Sequence, residues 1–177
     1  MSQMMPSRKY LPTTWYDPRA EIRPSSIQGN GMVAAEPIHE GETIVLIGGT
    51  VLTTAQFQAF TATVLRYNAV QIGEDAHLVD LPTAPEGMNH SCDSNLWMGD
   101  EVTVVARRAI AAEEELTIDY ALQSGLPVDV LGESCRCGSP VCRGVITGND
   151  WQLRELQERY QGHFSPFLNE RIRSVTG

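Results

Sequence analysis

Asn89-His90-Ser91-Cys92-Asp93-Ser94-Asn95 opens, and Glu115-Leu116-Thr117-Ile118-Asp119-Tyr120 closes, the region that decides how this 177-residue chain is read. Shortly after it come Cys135-Arg136-Cys137-Gly138 and Cys142-Arg143-Gly144. These pieces hold all four cysteines of the chain, two dense polar runs and a tyrosine ending a strand-like segment. Cys135, Cys137 and Cys142 can supply three soft thiolates to a tetrahedral zinc, and a closed structural site takes a fourth. Cys92 is the cysteine left to supply it. Cysteines one residue apart do not readily form a disulfide with each other, which removes the main competing explanation. Three local ligands and one distant one would clamp the tail of the chain onto its middle and add metal-binding energy to folding.

Outward from that region, the totals describe one globular domain with short appendages: 42% hydrophobic and 20% charged residues, 15 Gly and 10 Pro, with no repeat of solenoid period. The formal charge is −9, from 22 acidic and 13 basic side chains. Such a field repels phosphate backbones and anionic lipid and favours a basic peptide or lysine-rich tail as partner. The first 20 residues are polar, interrupted by Pro6, Pro12 and Pro18, and carry no apolar core of signal-peptide length. No stretch approaches the ~18 apolar residues of a membrane span. An intracellular, reducing location is therefore expected, cytoplasmic or, in a eukaryote, nuclear, and there such cysteines bind metal rather than pair. Residues 1–20 are expected to form a flexible arm, with Trp15 and Tyr16 able to pin its end to the body.

From Ile22 onward the pattern is one of short strands, at 22–26, 32–35, 43–47, 66–72, 77–80, 102–106 and 116–118. Gly29-Asn30-Gly31 reads as a turn permitting positive φ and close backbone approach. Thr53 and Gln56 form a capping box opening a helix to about Thr63. Asn149, with Gln152 three residues on, caps a second helix whose stripe is Leu153, Leu156 and Tyr160 and which Gly162 stops. Ser165-Pro166 opens a third through about Arg173. Strands fill the middle and helices the end, without the βαβ alternation of a Rossmann-type enzyme. His77, alone in its strand, reads as packing.

At this point the sequence resembles the SET-domain protein lysine methyltransferases with a post-SET zinc segment. Residues 89–95 are similar to that family's N-H-S-C-x-P-N, 115–120 to its E-L-T-x-D-Y, Gly29-x-Gly31 to its N-terminal G-x-G, and 135–144 to its C-x-C-G-x3-C-x-G. The resemblance implies a mainly β fold with some α: a β-clip of small curved sheets, a pseudoknot where the Asn89 and Tyr120 segments meet, and C-terminal helices. It divides the chain into an arm (1–20), a SET domain (21–123), a post-SET zinc segment (124–148) and a helical extension (149–177). It implies that S-adenosylmethionine binds against Gly29, Asn30, Gly31 and Met32 and near Asn89, His90 and Tyr120. The substrate, a lysine in a basic protein segment, would enter from the opposite face, and Tyr120 would carry the catalytic role. For His90 a structural hydrogen bond and direct cofactor contact stand as alternatives.

Departures from the family pattern shape the substrate channel. Ser94 replaces a usual proline, and Glu86-Gly87-Met88 replaces an Arg-Phe-apolar lead. Ile47 stands where many members carry a channel tyrosine, for which Tyr67 is a substitute. Ile118 and Met98 occupy positions where a tyrosine or phenylalanine can hold a water that limits methylation, and Trp97 could restore crowding by turning inward. Without those hydroxyls the channel is expected to accept a methylated amine. Two other functions compete: a zinc-stabilised, catalytically weak SET fold that binds basic tails, for which Ile47 argues, and a redox or metal-handling protein, which would need a C-x-x-C arrangement the chain lacks.

Overall fold

In a computed structural model of the chain, the structure describes residues 9–64, 67–80, 87–126, 131 and 133–176. Arg66 and Glu86, on which two sequence readings fall, lie outside them. The architecture is mostly strands with few helices, its main sheet curled until nearly closed.

Trp15–Tyr16 (β1), Ala20–Pro24 (β2), Asn30–Ala34 (β3) and Thr43–Leu46 (β4) begin that sheet, and Leu96–Met98 (β9), Thr103–Ala106 (β10) and Glu115–Ile118 (β11) complete its main path. The order is β1-β4-β10-β9-β11-β3-β2, with Asn89–His90 (β8) also paired to β11. A second sheet has Ala76–Asp80 (β7) between Thr50–Leu52 (β5) and Asn68–Gly73 (β6). Alternation builds the core: in β10, Val104 and Ala106 are buried while Thr103 and Val105 are only partly covered, as a pleat with period two requires. Val104 joins Ile44, Leu96, Leu116 and Ile118 in one apolar cluster.

β11 organises the region around Tyr120. Leu116 pairs antiparallel with Met32, while Thr117 pairs parallel with Asn89 and Ile118 with both His90 and Leu96. The two halves of the 89–120 region thus lie side by side, and the pseudoknot expected from the family falls here. Trp15 and Tyr16, the residues expected to pin the N-terminal arm, pair with Leu46 and Val45.

Thr54–Thr61 (α1) has the expected capping box: Gln56 N–H donates to Thr53 Oγ1 at 3.2 Å, and Thr53 N–H donates to the Gln56 side chain at 2.9 Å. Asn149 does not cap a helix as expected. It precedes a single 3-10 turn, Asp150–Gln152, and its side chain makes no capping bond. The Asp150 carboxylate is drawn to Arg143 and Thr147 instead, so the α-helix starts afresh at Arg154–Tyr160 (α2). Leu156 and Tyr160 are buried as expected, but Leu153, ahead of the helix, is exposed. Pro166–Thr176 (α3) packs on β6 and the 3-10 turn. No helix among the described residues is long and apolar enough to cross a membrane.

Candidate active site and cysteine centre

A cavity of about 360 Å³ lies against β6, β8 and β11, in the size range of small-molecule sites. Of the residues singled out from sequence, Asn30, Ile47, Tyr67, Asn89, Ile118 and Tyr120 line it. Gly29, Gly31, Met32, His90 and Met98 do not. Met98 points into the core, and its backbone exchanges contacts with His163, whose carbonyl accepts from Met98 N–H at 3.2 Å. Sequence reading missed the polar wall formed by Asn68, Gln71 and Gln123; an amide side chain in a half-buried strand gives no signal of which cavity it faces.

Tyr120 starts a short 3-10 turn, Tyr120–Leu122, capped by Asp119, whose side chain accepts the Ala121 N–H. Its hydroxyl donates to the Met88 carbonyl at 2.9 Å. Burial pushes the phenol up to about 12, so it stays protonated at neutral pH. Its backbone N–H donates to His90 Nδ1 at 3.2 Å. With Nδ1 accepting, the imidazole proton belongs on Nε2, 3.3 Å from Cys92 Sγ. Both ring nitrogens therefore meet protein groups, which favours the structural alternative for His90. Burial lowers this histidine to about 4, with Asp119 opposing that shift.

The Gly29–Met32 segment is held from below. Glu115 accepts from Ser25 Oγ at 2.8 Å and from Asn89 Nδ2 at 2.8 Å. Asn89 Nδ2 also lies 3.1 Å from Gln28 O and 3.2 Å from Asn30 O. At Gly31 it is a side chain that comes close: a Cβ there would sit 2.2 Å from Glu115 Oε1.

The four cysteines converge. Their sulfurs all lie within 4.8 Å of one another, against the roughly 3.8 Å edge of a tetrahedron with ~2.3 Å Zn–S bonds. Cys135 N–H donates to Gly144 O at 2.6 Å and Cys142 N–H to Ser139 O at 3.0 Å. Gly138, with φ +70°, makes the turn between them. Burial pushes the Cys135 thiol up to about 11. At Cys137 burial acts the same way but is outweighed by hydrogen bonds from Cys92, Ser139 and the neighbouring thiols, leaving it at about 7. Four converging sulfurs are a donor set compatible with zinc.

This arrangement, with β11 between the Asn-His strand and the G-x-G hairpin, coincides with a match to the SET domain over residues 29–121. The chain belongs to the SET domain family. A structural neighbour, the methyltransferase domain of human Histone-lysine N-methyltransferase SETMAR, superposes with a TM-score of 0.54 at 22% identity, covering 71% of this chain and 56% of that one, and supports the SET fold. Among relatives by sequence, Histone-lysine N-methyltransferase ash1 of Drosophila melanogaster is 29% identical over 151 residues, 73% of this chain. Histone H3-lysine(4) N-trimethyltransferase ATX1 of Arabidopsis thaliana is 38% identical over 97 residues, 50% of this chain. This SET chain spans only 6% of the first and 8% of the second.

Proposed function

We propose that the chain is an S-adenosylmethionine-dependent protein lysine N-methyltransferase acting on a basic protein segment, with an intracellular site of action. The observation that carries this reading is the placement of Tyr120: its hydroxyl, fixed on Met88 O, stands at the wall of a cavity shared with Asn30 and Asn89. Named histone-lysine methyltransferases among the relatives support it, and a histone tail is the kind of segment a chain of net charge −9 attracts. S-adenosylmethionine would supply a methyl group made electrophilic by its sulfonium. The backbone of Gly29–Met32, with Asn89 and the more distant His90 behind it, forms the cofactor side.

Ile47, Ile118 and the half-exposed Tyr67 form the lysine side. A free lysine has a pKa of ~10.4, and these walls disfavour its charged form by desolvation. Tyr120, kept protonated by burial, is no general base at neutral pH. It aligns the amine through its oxygen lone pairs, and alignment is the main demand of an in-line displacement. Cys92, Cys135, Cys137 and Cys142 hold one structural zinc. In this reading residues 21–123 are the catalytic domain, 124–148 the zinc segment and 149–177 a supporting extension.

Tyr120→Phe tests the assignment: transfer falls on the order of 10²-fold or more, while cofactor affinity measured by calorimetry stays near wild type. Full activity in that variant would overturn Tyr120's role. A second reading, a SET fold that binds basic tails without turnover, is favoured by Ile47, which supplies no channel hydroxyl. Tight peptide binding by a wild type that binds no cofactor would establish it. Mass spectrometry of a proteome extract treated with the protein and isotope-labelled cofactor identifies the substrate.

A further inference from the structure

Asp119, the residue before Tyr120, is fully buried, and its carboxylate is held from outside the 29–121 segment. Arg143 grips both oxygens, Nη1 on Oδ2 at 2.7 Å and Nη2 on Oδ1 at 2.8 Å. The Tyr160 hydroxyl donates to Oδ2 at 2.9 Å. Oδ1 in turn accepts Ala121 N–H at 3.1 Å, the bond that shapes the turn starting at Tyr120. Arg143 is anchored at its far side as well. Its Nε donates to Asp150 at 2.9 Å, the Thr147 hydroxyl holds the other Asp150 oxygen at 2.7 Å, and its own N–H lies 3.3 Å from Cys92 Sγ.

A bidentate guanidinium fixes both the position and the rotation of a carboxylate, which a point charge does not. Asp119 can cap the turn only in one rotation. Rotation of this carboxylate releases Ala121 N–H, and the Tyr120 ring swings with the backbone that carries it. The phenol works at the far end of that lever, where a displacement of about 1 Å costs on the order of 10²-fold in rate.

We propose that Arg143 and Tyr160 are positioning residues for Tyr120, acting through Asp119. This rests on the methyltransferase reading of Tyr120. Arg143→Ala would leave Asp119 buried without its fork and risks misfolding, so the informative variants are Tyr160→Phe and Arg143→Lys. The first keeps the ring against Phe164 and removes one donor to Asp119. The second keeps the charge and loses the fork.

Wild type and both variants, each as the whole 177-residue chain, are compared in steady-state transfer to a lysine peptide, cofactor calorimetry, zinc content and hydrogen exchange at the Tyr120 and Ala121 amides. The expected result for Tyr160→Phe is kcat down on the order of tenfold, with KM, cofactor affinity and zinc content within about twofold and faster exchange at both amides. Arg143→Lys moves the same way and further; should it fail to fold, Tyr160→Phe decides alone. Folded Tyr160→Phe with wild-type kcat and wild-type exchange, or with a kcat loss matching lost zinc, overturns the proposal. A wild type without transfer whose two amides still exchange faster in Tyr160→Phe would overturn the methyltransferase reading and leave the positioning role standing.

Discussion

At the scale of single residues, two changes and one pair of native side chains carry predictions. Gly31→Ala would press a methyl group into Glu115 Oε1, driving that carboxylate off Ser25 and Asn89, so the whole Gly29–Met32 segment moves. The expected cost is about 1–3 kcal/mol of stability, with a larger loss of cofactor affinity, read by thermal unfolding and calorimetry. His77 is buried, stacked on Phe57 at 4.6 Å, with Nε2 3.1 Å from Thr54 Oγ1. Burial lowers its pKa, with Asp75 opposing. The folded state therefore binds fewer protons than the unfolded state around and below pH 6.5, and stability falls as pH drops through that range. In His77→Gln that part of the pH dependence between 7 and 5 should vanish, which denaturant titrations at several pH values will check. Ile47 and Ile118 line the cavity without hydroxyls, so under the proposed function no side chain at either position anchors a water against a methylated amine. Intact-mass analysis of a single-lysine peptide with excess cofactor should show products beyond one methyl.

At the scale of elements, α1 is held by a local device. Thr53→Ala removes the acceptor of the Gln56 N–H and should cost about 1 kcal/mol, measured by chemical unfolding. That box was legible in sequence because both partners sit within four residues. α2 was not placed correctly because Asp150–Gln152 closes as a separate 3-10 turn, with the Asp150 carboxylate held by Thr147 three residues before it and by Arg143 seven residues before it. Strands β3, β4, β6, β7, β10 and β11 were legible, β10 from its β-branched residues, β4 from its apolar run and the pair β6 and β7 from the hairpin turn between them. β8 and β9, two and three residues long, are too short for periodicity to register and exist because β11 lies beside them. Within the site, Tyr120, Asn89 and Asn30 could be read from motifs, whereas Met98 was assigned to the channel and sits in the core. Which face of a three-residue strand meets a cavity depends on its neighbours. The Gln71 and Gln123 wall arises the same way, from a long-range bond of 2.8 Å between Gln71 N–H and Gln123 O.

At the scale of the whole molecule, the cysteine centre ties Cys92, between β8 and β9, to a segment more than forty residues later. Elemental analysis should find one zinc per chain, lost in Cys92→Ser. Stripping it with a chelator should lower the unfolding temperature and loosen 133–147 first, because the metal's binding free energy is part of the folding free energy. Retention of full zinc in Cys92→Ser would remove that residue from the site.

The parallel placement of β11 between strands that precede it sets the order in which the molecule can assemble. Its partners reach back to His90 and, on the other edge, to Met32, so the β2–β3 hairpin can form early while the catalytic corner has to wait for distant loop closures. Non-local pairings of this kind slow folding. During synthesis the Tyr120 site would be the last part of the sheet to acquire its shape, and the segment carrying Arg143 must have emerged before Asp119 can be neutralised. The corner around Tyr120 therefore takes its final shape only after the segment carrying Arg143 has been made.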